Sequence, residues 1–168
     1  MLEILFFVKL FSPLLTLLIA SNLYAYYAIQ RLKSDYLDDS ESLKIEGVST
    51  SITHISALSL GVRWVRADLI LMKNALICIH YSRFLGLRLY DSAYYFQFNN
   101  DEIIVKSIGR RKVENATLTC KYNKLNIKCE TATLFGRGKI EHDYSMYKKQ
   151  VDIANLLMEY GILVLRKA

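Results

Sequence analysis

The sequence predicts a mainly β chain, an antiparallel sheet preceded by an N-terminal transmembrane helix and followed by a C-terminal helix. Three observations predict it. Residues Leu10 to Gln30 carry no charge, the stretch from Leu43 onward breaks into short alternating runs, and only near the end does the apolar period lengthen. The chain of 168 residues has room for one domain and an appendage. Apolar residues make up 52% of it, yet mean hydropathy is only +0.16, so the apolar residues must be concentrated.

The first concentration is "LFSPLLTLLIASNLYAYYAIQ", 21 residues bracketed by Lys9 on one side and Arg31 and Lys33 on the other. As helix it reaches across a hydrocarbon core of roughly 30 Å. A cleaved signal peptide with its apolar region at Leu10–Ala20 is the rival. Cleavage after Ala25 or Ala28 would place Leu23 or Tyr26 where a small residue is required. Tyr24, Tyr26 and Tyr27 instead resemble an interfacial aromatic belt, which favours a retained anchor. A third reading is a helix buried in a soluble fold. Pro13 falls near the helix start, where it does limited damage. Basic flanks on both sides leave orientation undecided. The domain plan is therefore an anchor over 1–30, a polar, acidic juxtamembrane linker or frayed extension of the helix over 31–42, and a β-rich domain with its C-terminal helix over 43–168.

In that domain "LKIEGV", "THISALSL", "VRWVRADLILM", "ALICIHY", "LGLRLYD", "AYYFQF" and "EIIVKSI" are strand-like, separated by Gly47, Gly61, Lys73-Asn74, Ser82-Arg83, Asn99-Asn100-Asp101 and Gly109. The clearest hairpin is "YYFQFNNDEIIVKSI", with Tyr94, Phe96 and Phe98 on one face. Gly136 and Gly138 around Arg137 suggest a relieved strand or a bulge. Val151, Ala154, Leu157 and Met158 fall at helical spacing, and Gly161 ends that helix. Connections of a few residues leave no room for crossover helices, which argues against a parallel doubly wound sheet.

Candidate chemistry is sparse. His54, His80 and His142 lie far apart without ligand partners at zinc-like offsets, and read as half-exposed strand histidines. His142-Asp143 is adjacent without a nucleophile in a recognisable elbow, and Gly136-Arg137-Gly138 lacks the third glycine of a dinucleotide loop. No catalytic, cofactor-binding or metal-ligating residue is assigned, and the chain does not read as an enzyme. Net charge is +6, and many basic residues lie in the second half: Arg110-Arg111-Lys112, Lys121, Lys124, Lys128, Arg137, Lys139 and Lys148-Lys149. Most such charges are the solvated faces of strands; where they do meet a partner, a domain beside a membrane meets anionic head groups first, so the membrane is the expected partner and nucleic acid is disfavoured. "WVRADLILMKNALICIHY" could pass for an amphipathic membrane stripe, but Trp64, Leu69, Leu71, Leu76, Ile77 and Ile79 are expected in the core of the sheet. Asn115-Ala116-Thr117 fits a glycosylation acceptor, which matters only in a eukaryotic secretory compartment.

The chain has three cysteines. In "CKYNKLNIKC" a hairpin turning over Asn123–Asn126 would pair Tyr122 with Ile127 and Cys120 with Cys129, making the two thiols direct neighbours. An oxidising compartment would allow a disulfide between them, with Cys78 left over.

One N-terminal span followed by "ADLILMKNALICIHY", "AYYFQFNNDEIIVKSI" and "LNIKCETATLFGRGKIEHD" resembles the membrane-anchored envelope proteins of the AsmA type. It is also similar to the N component of type II secretion and to the anchored periplasmic subunit of lipopolysaccharide transport. "LGVRWVRADLIL" resembles the tryptophan-containing segment of the secretion component. The resemblance implies a curved, groove-like sheet on the periplasmic side of a single-pass protein, in contact with lipid or with proteins of an envelope complex. The chain is shorter than those families and ends in a helix. Two other readings stand beside it: a cytoplasm-facing, pleckstrin-homology-like module that binds anionic head groups, and a structural subunit whose span packs in a membrane complex.

Overall fold

The computed structural model describes residues 2–37, 42–56, 59–84, 86–99, 102–108, 113–121, 123–133, 136–146, 152–162 and 165–166, with the side chains of helix α1 described from Ser12 except at Leu14. Helix α1 (Leu2–Tyr36) leads into eight antiparallel strands: β1 (Leu43–Ser56), β2 (Ser59–Met72), β3 (Ala75–Phe84), β4 (Leu87–Asn99), β5 (Glu102–Ile108), β6 (Val113–Lys121), β7 (Lys124–Thr133) and β8 (Gly136–Ser145). Helix α2 (Ile153–Glu159) and a two-residue strand β9 (Leu165–Arg166) complete it. The strand order is β5-β4-β3-β2-β1-β8-β7-β6-β9, and β5 also lies against β6, so the sheet curls into a nearly closed barrel. The mainly β, antiparallel expectation and the C-terminal helix both hold.

Strands β2 to β4 are buried on two faces. Leu69, Leu71, Leu76, Cys78, Tyr94, Phe96 and Phe98 point into the barrel, where they meet Ile52, Ile127, Ile140 and Tyr144. Ile70, Met72, Ile77, Ile79, Ala93 and Tyr95 point outward and are covered by Ile29, Leu32, Tyr36 and Leu37 from the end of α1. Two-sided burial explains why Ala75–Tyr81 is buried at every residue instead of alternating. Each of the buried Ile29 and Leu32 side chains contributes about 2 kcal/mol by area removed from water. The helix therefore continues through Tyr36, and residues 31–36 of the expected linker are helical. Among the described residues no helix is long and apolar enough to cross a membrane.

A polar cluster on the outer face fixes the start of the sheet. The register of β1 against β2 shifts between Ile45 and Val48, and Gly47 at the shift has φ +67°, which favours glycine. Its N–H donates to the buried carboxylate of Asp68 at 2.9 Å. Tyr81 donates to the same carboxylate at 3.1 Å and Arg88 at 2.7 Å. Around Gly136 and Gly138, by contrast, β7 and β8 pair without a shift from Thr133–Gly136 to Lys124–Ser145, so of the two expectations there the strand holds and the bulge does not.

Helix α2 plugs one end of the barrel. Asp152 caps it by accepting from the N–H groups of Ala154 and Asn155, while Ile153 and Leu157 point into the core. Met158 is exposed. Gly161 N–H donates to Met158 O and Ile162 N–H to Leu157 O, a Schellman ending with Gly161 at φ +73° and Ile162 packed in the same core as Leu157. Asn74, in the β2–β3 turn, donates its N–H to Tyr160 O at 2.7 Å, tying the cap to the sheet.

The β6–β7 hairpin differs from expectation. Its turn lies over Tyr122-Asn123, with Tyr122 outside the described residues, and Cys120 faces Leu125 while Cys129 faces Ala116. The expected register is displaced by an even number of residues, so every side chain keeps its predicted face. The cysteines, however, end up four residues apart along the ladder, roughly 13 Å at the usual rise. A disulfide requires Cα atoms within about 7 Å. Cys78, Cys120 and Cys129 are all buried, and none is joined in a disulfide among the described residues.

Alkylation of protein unfolded without reductant should add three adducts, and native protein should add none; a mass reporting two protected sulfurs after unfolding would contradict this register. Gly161→Ala should cost at least about 1 kcal/mol in urea unfolding, because its φ is left-handed and a Cβ there would collide with the Asn74 amide oxygen. An unchanged midpoint would show that the cap does not constrain the fold.

Candidate functional site

The end of the barrel opposite α2 opens into a cleft of about 1130 Å³ between the sheet and helix α1. Its floor is apolar, made by the inward residues Ile52, Tyr94 and Ile140 together with Ile29 and Leu32 of the helix. Its rim is polar. His54, Arg63, Asp91, Ser92, Lys106 and Ser107 come from the strands, and Ser21, Tyr24, Arg31, Asp35 and Tyr36 from α1.

The rim charges are largely held in place. Arg63 grips Asp91 with both guanidinium nitrogens, one of them at 2.8 Å. Lys106 donates to the Tyr36 hydroxyl and lies 4.6 Å from the centre of its ring, and that hydrogen bond raises the pKa of the ammonium. Tyr36 in turn stacks on Tyr95 at 4.3 Å, and Tyr26 packs against Tyr90 at 5.9 Å. These aromatic contacts set the angle at which α1 leaves the sheet.

Beside the floor lies a polar core within the barrel. His80 and His142, expected to be half exposed, are both fully buried and stack at 5.0 Å, because His80 on β3 and His142 on β8 both face inward from nearly opposite walls. His80 Nδ1 is 3.1 Å from Ser92 Oγ, and its Nε2 is 2.9 Å from the Tyr144 hydroxyl, so either tautomer satisfies both nitrogens. Both ring nitrogens of His142 lack a protein hydrogen-bond partner. Burial depresses the pKa of His80 to about 3 and drives that of His142 well below the usual histidine range. The same desolvation pushes the thiols of Cys78 and Cys129 up to about 12.

The Ser92–His80 contact has the outline of a nucleophile and its base, but the chemistry is unfavourable. A histidine held near 3 offers little driving force for proton abstraction at neutral pH, and its third partner is a tyrosine rather than a carboxylate. Among the described residues no group of three His, Cys, Asp or Glu side chains could hold a metal ion. The arrangement offers apolar walls, aromatic faces and hydrogen-bonding groups, which suit binding.

Leu69, Leu71, Leu76, Ile77 and Ile79 are buried as expected, but Trp64 is 78% exposed, since it sits on the outward face of β2 beyond the reach of α1. Among the basic residues, Lys128 pairs with Glu141 at 3.0 Å, and Lys124 and Lys139 are exposed. Arg110-Arg111-Lys112 and Lys148-Lys149 lie outside the described residues. Lone histidines at positions 54, 80 and 142 carry no signal that two of them meet; only the closing of β3 toward β8 across the barrel creates the pair.

The histidines make stability depend on acid. Unfolded histidine binds a proton below about 6.5 while the folded pair stays neutral, so stability is complete above that pH and falls as pH drops toward 3. The loss is on the order of 1.4 kcal/mol per pH unit for each histidine. Replacing His142 with Phe should flatten the acid slope of the urea midpoint between pH 6 and 4, an interval set by about 6.5 and about 3. An unchanged slope would place the acid sensitivity elsewhere. No protein-family model, curated protein or solved structure matches this chain, so no relative's activity transfers to the cleft.

Proposed function

We propose that this chain is a single-pass membrane protein whose barrel domain lies outside the cytoplasm and works in envelope transport or assembly, through lipid or protein contacts. The observation that carries the reading is helix α1. It is one continuous helix that contains the uncharged stretch Leu10 to Gln30, and it exposes Leu15, Leu17, Leu18, Ile19 and Leu23 while its last turns are fixed to the barrel. A helix with that surface is costly in water and at home in hydrocarbon. Tyr24, Tyr26 and Tyr27 are exposed at the point where it approaches the sheet, the position of an interfacial belt.

The cleft supports the transport part of the reading. It lies between the anchor and the open end of the barrel, and its apolar floor under a polar rim suits an amphiphile or a segment of a partner. A pleckstrin-homology-like module facing the cytoplasm is the second reading, favoured by the single C-terminal helix that closes one end of an antiparallel barrel. A structural subunit of a membrane complex is the third.

Location separates them. The chain should remain with membranes through alkaline carbonate. A cysteine introduced at the exposed Glu159 of α2 should react with a membrane-impermeant thiol reagent from outside intact cells, since the native thiols are buried. Release by carbonate would remove the anchor; labelling only after lysis would turn the domain to the cytoplasm and favour the second reading.

A further inference from the structure

The meander turns alternately at two ends of the barrel, and the described strand residues that reach the open end are apolar and exposed. On the β1–β2 hairpin Ile55, Leu60, Val62 and Trp64 are exposed, with Leu60 at 74%. On the β3–β4 hairpin Phe84 and Leu87 are exposed at 61% and 66%. In a soluble protein hairpin tips are polar, because they face water.

Helix α1 runs out past this same end. Its contacts move from Tyr36 on Tyr95 to Tyr26 on Tyr90, toward the β3–β4 tip. Ten helical residues advance roughly 15 Å and five strand residues roughly 17 Å, so helix and strand keep nearly the same axis. Leu87 is three residues beyond Tyr90, roughly 10 Å further, the level of about residue 20 on α1. The tips thus stand beside the uncharged stretch of α1, level with Tyr24 or beyond it.

We infer that the β1–β2 and β3–β4 hairpin tips insert into the same bilayer leaflet that α1 enters, so that the barrel meets the membrane open end first. The inference rests on the anchoring proposed above. Its occupant is lipid: the apolar tips match hydrocarbon and Trp64 the interface. Exposed Arg66, Arg83 and Lys139 match anionic head groups. In that pose the cleft opens toward the leaflet, and an amphiphile could pass between bilayer and barrel without crossing water.

Trp64 is the chain's one tryptophan, so its emission reports the β1–β2 tip without a label. The full-length chain is placed in vesicles of phosphatidylcholine and phosphatidylglycerol, with and without bromine on the acyl chains. Insertion should shift Trp64 emission to the blue, shield it from acrylamide and lose most of its intensity to brominated lipid. A Trp64→Phe, Leu87→Trp variant should behave alike and so report the second tip. Water-like, acrylamide-quenched emission from a chain that still resists carbonate would overturn insertion and leave the anchor standing. A blue shift untouched by brominated lipid would also overturn it, placing the tip against protein. A chain that carbonate strips from the vesicles would remove anchor and insertion together.

Discussion

The contact on which the rest of the structure depends is the packing of the last turns of α1 on the outer face of β2, β3 and β4. An antiparallel sheet can leave one face to water, and most of this barrel does. Here Ile70, Ile77, Ile79 and Tyr95 point outward, so without Ile29, Leu32 and Tyr36 the sheet would present a continuous apolar face. The helix is therefore part of the domain's core, and its exit direction is set by the domain instead of by a flexible linker.

The two ends of the barrel are finished in different ways. At one end Ile153, Leu157 and Ile162 close the core, and the Schellman ending of α2 is tied back to Asn74. At the other the interior stays accessible beside α1, with polar groups at the rim and the His80–His142 stack within. Burying two imidazoles, one with both nitrogens unpaired, costs stability that an apolar pair would not. Both must remain neutral, which links the integrity of the barrel interior to pH.

Much of the fold was legible because β-pattern and turn chemistry are local. The Tyr94–Phe98 alternation, the β4–β5 hairpin closed by the Asn99–Glu102 pair and the glycine that ends α2 all act within a few residues, and each appears where the sequence places it. The run Ala75–Tyr81 carried a further signal, since an unbroken apolar strand implies cover on both faces. The site was much less legible. His80 and His142 are 62 positions apart, and no local pattern states which strands will face one another across a barrel.

What the sequence by itself determined is the element types, the faces of most strands, the uncharged stretch and the C-terminal helix, because those follow from residue period, composition and backbone preference. The tertiary structure decided register, closure and exposure. A shift in the β6–β7 hairpin that conserves every face is invisible to hydrophobic pattern, yet it separates Cys120 from Cys129. Trp64 shares the outward face of β2 with Ile70 and Met72 but is exposed, because the last turns of α1 cover only their part of that face. Burial depends on which other element arrives at a face, and that is a property of the assembled chain.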